Sequence, residues 1–531
     1  MKHTMPTSAR ALALSIASAV VLAFTSGARA ADPLLARTDT GVVRGAIQDD
    51  VLSFKGIPLA QPPVGDLRWR PPQAMKPWSG VRDATAYGPD CAQEPFPGDA
   101  APLGVPAKED CLYLNVWTPA KRSGAKRPVM VWIYGGGFVN GGSSPAVYDG
   151  SAFAKDGVVL VSFNYRLGHF GFFAHPAITA EQPGAMLGNY GLMDQLAALQ
   201  WVKRNVAAFG GDPRNVTIFG ESAGGISVHA LMTSPVAAGL FQKAIVQSGG
   251  GRPGLFGLRP VTGSGDSGET KGLAFAKKYG IEGTGADALR KLRALAAESI
   301  YKGFHMMTMG NDPTYSGGPM VDGKLVVGAP STLYASGKGA KVPLMIGATN
   351  MDIGFMQGAT LDDLFKQYGA NAAKARDVYA PDGTGSVGAV ALRMGGDQTM
   401  AEPVRHIARI LSARGQPVYQ FRFSYVAESL RKTAPGAMHA TDIPFAFDTV
   451  AARYGKDLTP ADAAAAQAMH RYWIAFAKSG VPKVPGQPEW PTYAATSDVI
   501  MDFTNSGPVA GADAWAPRLD LAEAFSNARE H

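Results

Sequence analysis

The chain has 531 residues, of which 46% are hydrophobic and 18% charged, and a formal net charge of +7. That much apolar material supports a large buried core and excludes a disordered or low-complexity protein. Its basic residues are scattered rather than clustered, so neither nucleic acid nor a membrane surface is indicated as a partner.

Lys2 and Arg10 open a leader whose apolar run, 11–24, is followed by Ala28-Arg29-Ala30 and then Ala31. A basic start, a short apolar stretch and a small-residue site describe a cleavable secretory signal over 1–30, cut after Ala30. The run is too short for a stable membrane span, and no later segment approaches the required length. Loss of the leader's three basic residues leaves a net charge of +4. A periplasmic or secreted mature chain is expected.

Downstream, Pro128-Val129-Met130-Val131-Trp132-Ile133 reads as a buried strand running directly into Tyr134-Gly135-Gly136-Gly137-Phe138. Successive glycines let backbone N–H groups turn toward one point, and no phosphate-loop lysine or dinucleotide fingerprint follows. After another apolar strand at 158–163 comes Val216-Thr217-Ile218-Phe219, then Gly220-Glu221-Ser222-Ala223-Gly224, then a helix-compatible stretch over 225–232. Strand, sharp turn and helix with a serine at the apex form a nucleophile elbow, in which the glycines remove side chains that would collide. With 64 glycines, such a chain meets the five-residue pattern by chance about half a time, so its weight rests on what surrounds it.

A strand at 244–247 precedes Arg252, and Met306, Met307 and Met309 follow as packing residues or an adaptable apolar lining. Lys341-Val342-Pro343-Leu344-Met345-Ile346-Gly347 is a further short strand, with Asp352 in the loop beyond it. After a strand at 418–423, His439 lies in the loop Gly436-Ala437-Met438-His439-Ala440-Thr441-Asp442. A late helix is bounded by Thr459 as N-cap, Pro460 at the first helical position, and Gly480 with Pro482 at its end.

A serine hydroxyl needs a base, an acid that orients the base, and hydrogen-bond donors for the oxyanion. In a hydrolase built on this elbow the donor loop precedes the serine, and the acid and then the histidine follow it. Of nine histidines, His3 falls in the leader, while His169, His175, His229, His305 and His531 are out of order or at the chain end. His406 and His470 fall in helix-like segments. That leaves His439 as the base for Ser222. Asp352 is preferred as the acid because loops at the carboxyl ends of parallel strands carry the chemistry of such sheets. Asp322 and Asp397 compete, although both look like turn formers. The expected oxyanion donors are the N–H groups of Gly136, Gly137 and Ala223. Arg252 is a candidate contact for an acidic substrate, although exposure or an ion pair is the commoner fate of such an arginine.

These segments resemble the type-B carboxylesterase/lipase family, which includes cholinesterases and bacterial carboxylesterases. The likeness begins at Phe54-Lys55-Gly56-Ile57-Pro58-Leu59-Ala60-Gln61-Pro62-Pro63-Val64-Gly65, continues through Glu109-Asp110-Cys111-Leu112-Tyr113-Leu114-Asn115-Val116-Trp117, and includes the elbow from Phe209 onward. It implies an α/β-hydrolase fold: a central, mostly parallel sheet flanked by helices, with large insertions around the active-site entrance. The candidate site runs from Gly136 to His439 without a linker or repeat, so 31–531 is read as a single domain. The resemblance also implies Ser222, His439 and the three donors in the roles above, a disulfide between Cys91 and Cys111, and hydrolysis of small to bulky carboxylic esters without metal or cofactor. The family's acid segment usually runs Gly, three variable residues, Asp-Glu-Gly, whereas Asp352 here stands at the glutamate position between Met351 and Ile353. No tryptophan occurs between Cys91 and Cys111, only Phe96, which argues against a choline-ester specialist. A non-catalytic adhesion protein on the same fold, and an amidase or acyl transferase with the same triad, are the alternative classes.

Overall fold

An eleven-stranded sheet organises the molecule. In chain order its strands are β1 (Ala46–Gln48), β2 (Val51–Pro58), β3 (Tyr113–Pro119), β4 (Arg127–Ile133), β5 (Val159–Phe163), β6 (Gly211–Glu221), β7 (Lys243–Gln247), β8 (Leu344–Thr349), β9 (Val418–Phe423), β10 (Val499–Thr504) and β11 (Gly507–Ala512). They lie side by side in the order β11, β10, β9, β8, β7, β6, β4, β5, β3, β2, β1. From β5 to β10 every neighbouring pair is parallel, and both margins of the sheet are antiparallel. The structure, a computed structural model, describes residues 32–121, 126–252, 254–260, 265–383 and 385–530. The signal expected over 1–30 lies outside the described residues.

Parallel strands covered on both faces read as continuous apolar runs rather than alternating ones. β5, β7, β8 and β9 follow this rule, every residue in each being buried. The strands expected at 158–163, 244–247 and 418–423 form within a residue of those limits. Helices that cover the sheet include α1 (Tyr190–Asn205), α2 (Ala223–Thr233), α3 (Glu402–Ala413), α4 (Pro460–Ser479) and α5 (Ala516–Glu530). α4 starts and stops as its sequence predicts. Thr459 and Asp462 form a reciprocal capping box, Pro460 opens the helix, and Gly480 closes it in the left-handed conformation at φ 79°. Its buried Trp473 and Phe476 face the sheet, where Trp473 packs on Phe421 at a centroid distance of 5.2 Å.

From Leu34 onward the chain forms one compact unit. Cys91 and Cys111 are disulfide-bonded, closing a loop that carries Phe96. Beside it, the Arg68 guanidinium grips Glu109 at 2.5 and 2.7 Å. Among the described residues no helix is long and apolar enough to cross a membrane.

Candidate active site

β6 ends at Glu221, α2 begins at Ala223, and Ser222 between them has φ 55° and ψ −123°, a strained setting for a residue with a side chain. Strand and helix can approach this closely only because of the flanking glycines. A Cβ on Gly224 would stand 1.9 Å from the Ile133 carbonyl oxygen, and one on Gly220 would stand 2.6 Å from the Gly224 backbone. The turn therefore holds the serine at the carboxyl end of the sheet, where its side chain lines a cavity of about 180 Å³.

Beyond β4 the glycine loop faces the same cavity. Tyr134 anchors it: its ring stacks on Tyr165 at 4.4 Å, and each tyrosine hydroxyl donates to the other's carbonyl oxygen. Gly136 and Gly137 take φ 93° and 63°, and a Cβ on Gly136 would lie 2.3 Å from the Asn140 carbonyl oxygen. Their N–H groups have no acceptor among the described residues. Ala223 is the first residue of α2, where helix geometry leaves the N–H without an intrahelical partner. Three donors are thus available beside the Ser222 turn.

His439, in the loop after β9, also lines the cavity. Its Nδ1 lies 2.6 Å from Asp352 Oδ1. Asp352 is buried and richly supported: Oδ1 also accepts from the Ile353 N–H at 2.8 Å, and Oδ2 accepts from the Ser248 hydroxyl at 2.6 Å and from the Thr349 N–H and hydroxyl at 3.1 and 3.0 Å. Burial by itself would raise this carboxyl, but the attraction of His439 and these hydrogen bonds hold it below the ordinary carboxylate range. The two loops are tied together, since Asn350 Oδ1 accepts from the Ala437 N–H at 2.7 Å and Met351 N–H donates to the Ala437 carbonyl at 3.0 Å. Gly354 also presses backbone to backbone against Gly395, leaving no room for a Cβ on either.

The competing acids have other partners. Asp322 caps its own turn through the N–H groups of Lys324, Leu325 and Val326, and Asp397 is held by Arg518 and the Tyr379 hydroxyl. Arg252 does not meet the expectation of a substrate contact. Its guanidinium is buried against Glu402 and Asn527, and the residue is not part of the cavity lining. β7 ends five residues before it, and the chain then turns into the packing beneath α3 and α5. Of the three methionines, Met306 lines the cavity, Met309 packs against Gly137, and Met307 is exposed. Phe96 lines the cavity as well.

Several participants escaped sequence reasoning. Glu221, inside the elbow motif, places Oε1 3.2 Å from His439 Nε2. Burial pushes its carboxyl up to about 8, with Asp442 and Asp352 adding to the rise and His439 opposing it. Glu221 and Asp352 together lift the imidazole above its ordinary range against the effect of burial. The histidine is therefore flanked by two carboxyls, one on each ring nitrogen, and titrates as part of a coupled set. Asp442 accepts from Gln247 Nε2 at 2.7 Å, and burial raises its carboxyl to about 6. Ser248, just past the end of β7, was legible only as a position at the edge of the sheet where ligands gather.

A nucleophile turn, a set of backbone donors and an imidazole backed by a carboxylate, all facing one cavity, are the parts acyl transfer requires. Comparison with known proteins agrees. Residues 32–513 match the model of the carboxylesterase family. The fumonisin B1 esterase of Sphingopyxis macrogoltabida is 35% identical over 513 residues, covering 91% of this chain and 90% of that protein. The para-nitrobenzyl esterase of Bacillus subtilis is 36% identical over 478 residues, covering 86% of this chain and 92% of its own. A solved structure of a PNB esterase superposes with a TM-score of 0.78 at 32% identity, covering 92% of this chain and 99% of that one. With a fold and a sequence that agree with these relatives over nearly the whole chain, the chain belongs to the carboxylesterase family and is an ester hydrolase built on an α/β-hydrolase sheet.

Proposed function

We propose that this carboxylesterase works through a Ser222–His439–Asp352 triad and a covalent acyl-enzyme. Ser222 Oγ attacks the ester carbonyl carbon while its proton passes to His439 Nε2. The oxyanion is received by the N–H groups of Gly136, Gly137 and Ala223. Collapse of this intermediate breaks the bond to the alcohol, which leaves with the proton from His439. Water then gives a proton to His439 and attacks the acyl carbon, releasing the acid and restoring the serine. Asp352 keeps Nδ1 protonated, so that Nε2 is the basic nitrogen, and stabilises the imidazolium that forms.

The observation that carries this reading is the 2.6 Å contact between His439 Nδ1 and Asp352 in a cavity shared with a strained serine. It is tested with a fluorophosphonate and a chromogenic ester. A covalent adduct on Ser222, and loss of both adduct and turnover in Ser222→Ala, are expected. Turnover retained in Ser222→Ala would refute the assignment. We also read residues 31–531 as a single exported domain, a reading supported by the disulfide, which suits an oxidising compartment. The exported chain should begin at Ala31, and N-terminal sequencing of the periplasmic and medium fractions checks it.

A further inference from the structure

The cavity that holds Ser222 has an apolar lining that includes Phe96, Val147, Met306, Ile443 and Pro444, and its charged lining residues are Asp99, Glu221, His439 and Arg453. Glu221 and His439 face each other at its base. Arg453 differs from the other arginines around the site. Arg68, Arg252, Arg422 and Arg518 each hold a carboxylate, whereas the exposed Arg453 side chain has no hydrogen-bond acceptor or ion-pair partner among the described residues. Its place is fixed by its helix, Val450–Tyr454. The Thr449 hydroxyl at the start of that helix donates to the Val147 carbonyl at 2.8 Å, and the Tyr454 ring at its end packs on Phe445 at 6.2 Å. Val147 is itself part of the cavity wall.

We propose that Arg453 is a specificity-determining residue that reads a free carboxylate on the ester, so that the preferred substrates are esters whose acyl or alcohol part carries such a group. A guanidinium offers five N–H donors in a planar fork that matches a carboxylate in two parallel hydrogen bonds. Asp99 is the other charge of the outer wall. Its charge attracts Arg453 only from beyond ion-pair distance, and its Oδ1 accepts from the Ala101 N–H at 2.9 Å, so the N–H donors of the guanidinium stay open. A substrate carboxylate completes the arginine, and the rest of the ester occupies the apolar lining. The inference rests on Ser222 being the nucleophile.

The test compares carboxylate-bearing esters with carboxamides of the same shape. One pair carries the group on the acyl side (an ethyl hemiester of glutaric acid) and the other on the alcohol side (a butyrate ester of glycolic acid). The readout is the ratio of kcat/KM, carboxylate over carboxamide, in wild type, Arg453→Gln, Arg453→Lys and the control Arg431→Gln, whose guanidinium pairs with Glu428 outside the cavity. A charge-assisted contact in a partly closed site corresponds to about a tenfold fall in the ratio in Arg453→Gln. Arg453→Lys should recover part of it, and Arg431→Gln should keep the wild-type value. A fall in one pair alone identifies the side that carries the carboxylate. An unchanged ratio in both pairs, with Ser222 still labelled by the fluorophosphonate, overturns this inference and leaves the triad intact. Failure of wild type to label or turn over overturns the triad itself.

Discussion

Replacing Asp352 by asparagine separates the roles of its two oxygens. An amide must put its NH2 group on one side, and each oxygen faces a fixed backbone donor, Ile353 N–H at 2.8 Å on Oδ1 and Thr349 N–H at 3.1 Å on Oδ2. The Oδ2 side is the easier one, because the Ser248 and Thr349 hydroxyls there can rotate to accept. In that orientation the carbonyl oxygen still receives His439 Nδ1–H, and what is lost is the charge opposite the imidazolium. Two unit charges at about 4 Å and an effective dielectric near 20 attract by about 4 kcal/mol, equivalent to roughly a 10³-fold loss in kcat. If the amide turns the other way, it imposes the wrong tautomer and the loss approaches about 10⁴-fold. The assay is turnover of a chromogenic ester by Asp352→Asn, Asp322→Asn and Asp397→Asn, each checked for folding by circular dichroism. The carboxyl of Asp352 titrates below its ordinary range, so its stabilising pair is fully present above about pH 4 and is lost as pH falls through the lowered value. Asp352→Asn should therefore melt earlier than wild type at pH 7 and converge with it in acid. A folded Asp352→Asn within tenfold of wild type, or a larger loss in Asp322→Asn or Asp397→Asn, would refute the assignment.

The acid limb of kcat/KM should lie above the ordinary imidazole range, because His439 must lose its proton to act as base and Glu221 is the largest influence raising it. Glu221→Gln removes that charge and should move the limb to lower pH, as a full pH profile would reveal; a limb that stays put would rule Glu221 out. Gly136→Ala brings a Cβ to within 2.3 Å of the Asn140 carbonyl oxygen at φ 93°. The loop must shift and a proposed oxyanion donor is lost, costing about 10²- to 10³-fold in kcat, and the strained backbone should lower stability by about 1 to 3 kcal/mol as well. Arg252→Ala leaves Glu402 buried without its guanidinium, which should destabilise the fold by about 3 to 5 kcal/mol. The kcat/KM ratio between acidic and neutral esters should stay at the wild-type value, in contrast to Arg453→Gln, and denaturant titration with paired substrates measures both effects.

Much of the site was legible because its signals are local. The elbow at Ser222 shows in five residues, since strand and helix can meet there only without side chains at Gly220 and Gly224. The turns of the donor loop need glycine at positive φ, and glycine is what stands at Gly136 and Gly137. Helix α4 carries its own start and stop in Thr459, Asp462 and Gly480. Asp352 is pointed to by a rule of topology, the end of β8, and the structure sets its Oδ1 2.6 Å from His439 Nδ1, although its loop departs from the usual acid segment. The Ser248 hydroxyl that supports Asp352 comes from a distant stretch of chain, so no local pattern could announce that contact.

What remained hidden in the sequence was the direction of side chains. The two arginines show this best: Arg252, close in sequence to the strand beside the nucleophile, turns inward to Glu402, while Arg453, in an unremarked short helix, reaches the cavity. Sequence by itself determined the sheet's apolar strands, the turn at Ser222 and the glycine loop, because steric and periodic requirements are written over a few consecutive residues. Tertiary structure alone decided that Glu221 faces His439, that Ser248 reaches Asp352 across 104 positions, and that Thr449 meets Val147 across 302. Those contacts depend on how separately encoded loops converge at one end of a sheet, and only the folded chain sets that convergence.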